Sequence, residues 1–270
     1  MRIHLTTDLE GVAGVVNHDD YCCPESRYYE QARALLTAEI NAAVDGFFAG
    51  GATDVVVRDG HGCGAINCEL LDERAKFSRG PYSPLYPGGR DEGFDAVAVV
   101  GQHAKSGTPY SHLTHTGSFS VYDLSVNGLS IGEYGTMVLC AKELGIPAIF
   151  ATGEKAFAEE AEALTPGVVT VAVKRGLLPD DGHAYATPEE YSKAKLSAEH
   201  LTPAAARKKI RAGAKLAVEL LISNPKQFRH PDLKAPWHII RRFRPLNIGR
   251  IQHAKDDKSF IAALNKLYGC

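Results

Sequence analysis

Along the first 175 residues, short runs of β-branched and aliphatic side chains alternate with longer stretches whose apolar positions recur every three or four residues. The short runs suit strands buried on both faces, the longer ones amphipathic helices. Their alternation predicts parallel strands joined by crossover helices. Strands are expected at residues 2–7, 54–58, 95–100 and 147–151. The clearest helix covers 27–48, with Ala32, Leu35, Leu36, Ile40, Ala43, Val44 and Phe47 on one face and Gly50-Gly51 as its stop. A shorter helix with an acidic outer face is expected at 156–164.

Period-two alternation over 118–126 is followed by Asn127-Gly128 and a resumed apolar position at Ile131. Asn-Gly supplies the two positive-φ positions of a type I′ turn, so an inserted hairpin is predicted. A helix over 135–144 then ends at Gly145 and Pro147. Residues 78–92, rich in Gly, Pro and Tyr, read as a loop. Beyond about 175 the texture changes: 176–202 is polar and turn-rich, and 203–221 is a long helix with Ile210, Ala214, Leu216, Ala217, Leu220 and Leu221 inward. Strands are expected at 237–241 and 247–252, and a last helix at 258–267. The expected fold is α/β: a mostly parallel sheet with flanking helices and the hairpin in domain 1–175, and a smaller α+β subdomain at 176–270. Arg241, Arg242 and Arg244 suggest a solvated or inter-subunit face.

Hydrophobic residues at 44% and charged residues at 23% exclude a disordered or low-complexity chain. Thirty basic against thirty-two acidic residues leave a net charge of -2, without the positive field that nucleic-acid binding requires. No apolar run is long enough to span a bilayer, and the first residues run into Asp8 and Glu10 without a signal-peptide core, so a cytoplasmic protein with neither membrane nor nucleic-acid partner is expected. Cys22, Cys23, Cys63, Cys68, Cys140 and Cys270 show no zinc-finger spacing and are expected as free thiols.

In open α/β sheets, loops converge outside the carboxyl ends of the strands, and sites form there. The first strand ends in Asp8-Leu9-Glu10-Gly11, the second in Asp59-Gly60-His61-Gly62 and the third in Gly101-Gln102-His103. Glu133 follows the hairpin, and the loop before it carries His112 and His115. An isolated Asp or His of this kind is as easily a helix cap or a satisfied polar side chain. The joint pattern is different, because acids and imidazoles buried together at one sheet edge need a cation to neutralise them. Oxygen and nitrogen donors without thiolates suit Zn²⁺, and also Mn²⁺ or Co²⁺. Asp8, Glu10, His61, His103 and Glu133 are more ligands than one open four-coordinate ion uses, so two ions are expected, with Asp8 as the bridge. Such a pair polarises a carbonyl and anchors a free amine, the chemistry of an aminopeptidase. No GxGxxG, P-loop or GxSxG segment accompanies these residues.

The same motifs, with Thr114-His115-Thr116, Asn127-Gly128 and Gly132-Glu133 in that order, resemble those of the DppA-type D-aminopeptidases over residues 1 to about 175. The resemblance implies a zinc-dependent enzyme that releases D-amino acids from short peptides, with two Zn²⁺ per subunit held by Asp8, Glu10, His61, His103 and Glu133. It further implies a ring-shaped homo-oligomer. It makes His115, eighteen residues before Glu133, the catalytic histidine. A proton-transfer or oxyanion-stabilising role suits that side chain. Two other readings are a related metal-dependent amidohydrolase acting on a non-peptide amide, and a non-catalytic peptide-binding scaffold of the same fold.

Overall fold

The computed structural model describes residues 1–182, 184–245 and 249–269. Cys270 and the first two positions of the strand expected at 247–252 lie outside the described residues. The strands, in chain order, are β1 (Arg2–Thr7), β2 (Asp54–Asp59), β3 (Ala75–Ser78), β4 (Ala96–Gln102), β5 (Val121–Val126), β6 (Leu129–Ser130), β7 (Ala148–Glu154), β8 (Val169–Gly176), β9 (Ala198–His200), β10 (Trp237–Phe243) and β11 (Ile251–Asp256). The helices are α1 (His18–Tyr21), α2 (Tyr29–Gly50), α3 (Glu133–Glu143), α4 (Lys155–Leu164), α5 (Pro188–Ser192), α6 (Pro203–Ser223) and α7 (Phe260–Tyr268). No helix among the described residues is long and apolar enough to cross a membrane.

The main sheet runs β3-β2-β1-β4-β7-β8-β9. All of its neighbours are parallel except β9, which closes one edge antiparallel to β8. Alternation sorts the side chains. Ile3, Leu5, Val55 and Val57 join one core with Ile40, Val44 and Phe47 of α2 and Ile210 of α6. Val97, Val99 and Ala151 face the other way, against Tyr134 and Met137 of α3 and Phe157 of α4. The mixed α/β architecture with a mostly parallel sheet thus forms as the sequence predicts, with helices on both faces.

A second, antiparallel sheet runs β11-β10-β5-β6. Its β5–β6 hairpin turns at Asn127 (φ 50°) and Gly128 (φ 86°), the type I′ geometry expected of Asn-Gly. Leu124, Val126, Trp237, Ile239, Phe260 and Leu264 form a core of their own between this sheet and α7. Elements after residue 176 divide between the two sheets. β9 and α6 pack on the main one, while β10 and β11 extend the hairpin contributed by residues 121–130.

Strands β3, β8 and β9 were not expected. In β8, Val171 and Val173 are buried on one side while Ala172 is exposed, a half-exposed alternation rather than a continuous apolar run. The basic cluster also differs from expectation. Arg241 pairs with Gln252 Oε1 at 2.8 Å and Arg242 with Asp123 at 3.1 Å, both part-exposed. Arg244, by contrast, is buried. It donates to the carbonyls of Phe119, Val121 and Gly182 and lies 3.7 Å from the centre of the Tyr191 ring.

Helices α2 and α6 approach closely because Gly46 offers no side chain: a Cβ there would sit 2.4 Å from the Arg211 carbonyl oxygen and 2.8 Å from Ala214 Cβ. Replacing an interior helical glycine by alanine gains about 1 kcal/mol of propensity, but overpacking a backbone contact costs about 1–3 kcal/mol. Gly46→Ala is expected to lower the urea midpoint of unfolding; an unchanged or raised midpoint would mean that the two helices part without cost.

Candidate metal centre

Register brings the candidate residues together. Thr7 pairs with Asp59 on β2 and with Val100 on β4, so three adjacent strands end at one level. Past that level the chain is pinned by two backbone bonds, Asp8 N–H to the Val100 carbonyl (2.9 Å) and Gly11 N–H to the Gly101 carbonyl (2.7 Å). Gly101 has φ +78°, and a Cβ on it would fall 2.1 Å from the Asp8 carbonyl oxygen, so only glycine lets these strand ends close on each other. Asp8 and Glu10 follow β1, His61 follows β2, and His103 follows β4. Glu133 is the first residue of α3, where the helix dipole favours a carboxylate.

The six side chains converge. His61 Nδ1 lies 3.2 Å from Asp8 Oδ1 and 3.2 Å from Glu10 Oε2. His103 Nε2 lies 3.2 Å from Asp8 Oδ2 and 3.6 Å from Glu133 Oε1, and His115 Nε2 is 3.9 Å from the same Glu133 oxygen. His103 and His115 stack with ring centres 4.0 Å apart, and Phe119 covers His115 at 4.6 Å. Asp8, Glu10, His61, His103 and His115 are all buried.

Each imidazole is fixed by its far nitrogen. His61 Nε2 donates to the Cys22 carbonyl (2.8 Å), His103 Nδ1 to that of Ala104 (2.8 Å) and His115 Nδ1 to that of Leu113 (2.9 Å). A carbonyl can only accept, so in the neutral ring it is the opposite nitrogen, the one facing the carboxylates, that carries the lone pair with which histidines ligate metals. Burial resists charge on Asp8, yet the adjacent imidazoles of His103 and His61 hold its carboxyl well below the usual range. Burial likewise opposes protonation of His103, but Glu133 and Asp8 raise its pKa to about 10. In His61 the carboxylates of Glu10 and Asp8 outweigh burial and raise the pKa; in His115 burial dominates, reinforced by His103, and lowers it.

The donor set fits a divalent cation. Asp8, Glu10 and His103 present ligand atoms within 4.8 Å of one another, as do His103, His115 and Glu133. Glu10 Oε2 and His103 Nε2 are fully buried without a hydrogen-bond partner, an expensive arrangement unless something positive lies between them. Cys63, two residues from His61, belongs to neither group; its thiol donates to the Cys22 carbonyl at 3.3 Å.

His112 stands apart from the cluster. Its Nε2 pairs with the Val16 carbonyl (3.1 Å), its ring meets His200 edge-on, and burial, with Lys174 and His200, pushes its pKa down to about 2. Of the two histidines in that loop, His115 alone faces the carboxylates. Other residues of the site were not singled out from sequence. Gln102 donates one amide to Asp8 Oδ2 (2.8 Å) and Glu133 Oε2 (3.3 Å). Glu154, at the end of β7, accepts from the backbone N–H of Ala104 (2.7 Å) and of His112 (2.5 Å), tying both ends of the histidine loop to the sheet. The strand-end rule that found Asp8 and His61 points to Glu154 as well. Burial raises its pKa, and its work is structural. Lys174, buried behind the cluster, donates to the Glu10 carbonyl, and burial brings its pKa down to about 8. A cavity of about 600 Å³ opens over Asp8, Glu10, His61, His115 and Glu133.

A family model described as D-aminopeptidase (peptidase family M55) matches residues 1–244, well past the 175 residues over which the motifs are recognisable by eye. The D-aminopeptidase of Bacillus subtilis (strain 168) is 30% identical over 177 residues, which span 65% of this chain and 64% of that protein, just under two thirds of its length. Among solved structures, one described as the Zn-dependent D-aminopeptidase DppA from Bacillus subtilis, a self-compartmentalizing protease, superposes with a TM-score of 0.74 at 24% identity. That superposition covers 90% of this chain and 81% of the other, a likeness of fold. Since the family match takes in the whole main sheet and every side chain of the carboxylate–imidazole cluster, this chain belongs to the D-aminopeptidase family.

Proposed function

We propose that this protein is a dinuclear zinc aminopeptidase that releases N-terminal D-amino acids from short peptides. The observation that carries the reading is the position of Asp8. Its Oδ1 faces His61 and its Oδ2 faces His103, each at 3.2 Å, as expected of a carboxylate shared between two ions. Asp8, Glu10, His61, His103 and Glu133 would hold the pair. When bound, two such ions supply Lewis acidity toward a scissile carbonyl, acidify a water and anchor a free α-amine. The D-aminopeptidase name of the family and of the Bacillus relative supports both the reaction and the configuration of the residue released.

The chain's own groups account for the rest. His115, oriented by the Leu113 carbonyl, holds and moves a proton at Nε2, toward the leaving amine as the C–N bond breaks. Its stacking on His103 and the cover of Phe119 exclude bulk water from that nitrogen. Gln102 keeps Asp8 and Glu133 from turning away from each other, a positioning role. The self-compartmentalizing description of the structural relative supports a ring-shaped homo-oligomer here too.

Elemental analysis of protein purified without chelator should find about two zinc, manganese or cobalt ions per chain. Asp8→Ala should lose both together, and a variant that keeps its full complement would remove Asp8 as the bridge. His115→Gln should retain metal while turnover of a D-aminoacyl peptide falls by about 10²- to 10⁴-fold; loss of metal in that variant would make His115 a ligand instead. Light scattering should give a mass several times that of the 29.1 kDa chain, and a monomer would remove the ring.

A further inference from the structure

The cavity over the cluster has a second polar end, of opposite sign. Arg58 and Arg90 line it, and among the described residues neither makes an ion pair. Arg90 is only 7% exposed. Its Nη1 donates to the Pro87 carbonyl (2.6 Å) and its Nη2 to Thr6 Oγ1 (3.1 Å), while its Nε is buried without any partner. Arg58, half-buried, donates to Ser78 Oγ (3.4 Å) and the Gly80 carbonyl and rests 4.9 Å from the centre of the Tyr82 ring. Asp59, which follows Arg58 on β2 and also lines the cavity, is already taken by the Ala65 and Ile66 N–H groups and by Arg79 at 3.2 Å. His4, beside Arg90, is held neutral by burial and by the two arginines, so it adds no positive charge of its own.

A buried guanidinium with donors to spare, facing a cavity and lacking an anion, is a receptor for a carboxylate. Distance identifies which one. Arg90 is anchored on Thr6, near the end of β1 and two residues before Asp8, a spacing of about 7 Å along an extended chain. An extended dipeptide also measures about 7 Å from end to end. The geometry points to Arg90 and Arg58 as the subsite for the free C-terminal carboxylate of a two- or three-residue peptide whose amino end lies at the carboxylate–imidazole cluster. The inference rests on the peptidase reading, and it defines the substrate as a short peptide with both termini free.

The test compares D-alanylglycine with its C-terminal amide, D-alanylglycinamide. By calorimetry on chelator-treated protein, the acid should bind about 10- to 100-fold more tightly than the amide, the ratio expected of charge-assisted hydrogen bonds. The same preference should appear in kcat/KM of the metal-loaded protein. Arg58→Gln and Arg90→Gln should each bring the ratio toward one. Should the buried Arg90 variant fail to fold, Arg58→Gln and the wild-type ratio still decide. Equal binding of acid and amide by the wild type, or a ratio unchanged in Arg58→Gln, overturns the carboxylate subsite. Failure of the metal-loaded protein to cleave either compound overturns the peptidase reading, and a binding preference for the acid would still uphold the subsite.

Discussion

Everything at the carboxyl edge of the main sheet answers to the mutual repulsion of Asp8, Glu10 and Glu133, three carboxylates drawn toward one point in a region largely closed to water. Two carboxylates a few ångströms apart in a low-dielectric setting cannot both stay ionised unless positive charge or donors are close at hand. The chain supplies some of both. Gln102 reaches Asp8 and Glu133 with one amide, and Gly117 N–H donates to Glu133 at 2.7 Å. His61 and His103 come within 3.2 Å of the acids. These donors orient the acids without saturating them. The buried Oε2 of Glu10 and Nε2 of His103 stay without hydrogen-bond partners, a residue of electrostatic cost that a divalent cation is suited to remove.

Holding such a cluster in one geometry takes rigid surroundings, and the fold provides them mainly through backbone. The three histidines are each aimed by a main-chain carbonyl, and the loop that carries His115 is tied to the sheet through Glu154, which takes one backbone amide near either end. Lys174 approaches from β8 and fixes the backbone of Glu10 and Val15. None of these contacts depends on a flexible surface side chain. Small errors in ligand placement are what such buried second contacts prevent.

Much of this was legible in the sequence. Buried parallel strands announce themselves as apolar runs, and the residues just after them are where a site must lie, so Asp8, Glu10, His61 and His103 could be named from position and chemistry alone. The Asn127-Gly128 turn was equally plain, because few residue pairs tolerate two positive φ values. What stayed hidden depends on partners distant in the chain. Lys174 reads as an ordinary surface charge until β8 is placed beside the cluster. His112 and His115 differ by three residues and are told apart only by which way the loop turns. Arg244 belongs to a basic run, yet it is buried against carbonyls contributed by residues 119, 121 and 182. β8 was missed because its half-exposed alternation lacks the continuous apolar run of the central strands, and β9 because a three-residue edge strand carries too little apolar signal to separate it from a turn-rich stretch.

The strand order has a consequence for how the molecule comes into being. β1, made before both of its neighbours, sits between β2 and β4 and can be enclosed only when partners from residues 54–59 and 96–102 have been made. Contacts so remote in sequence are slow to form, since each closes a long loop before it is rewarded. Asp8 and Glu10 therefore wait for partners made later in the chain, and Glu133 joins them later still. The carboxylate–imidazole cluster is complete only when segments as far apart as residues 8 and 133 have met, so a chain that has not yet paired them lacks the full donor set and has little means of competing for an ion.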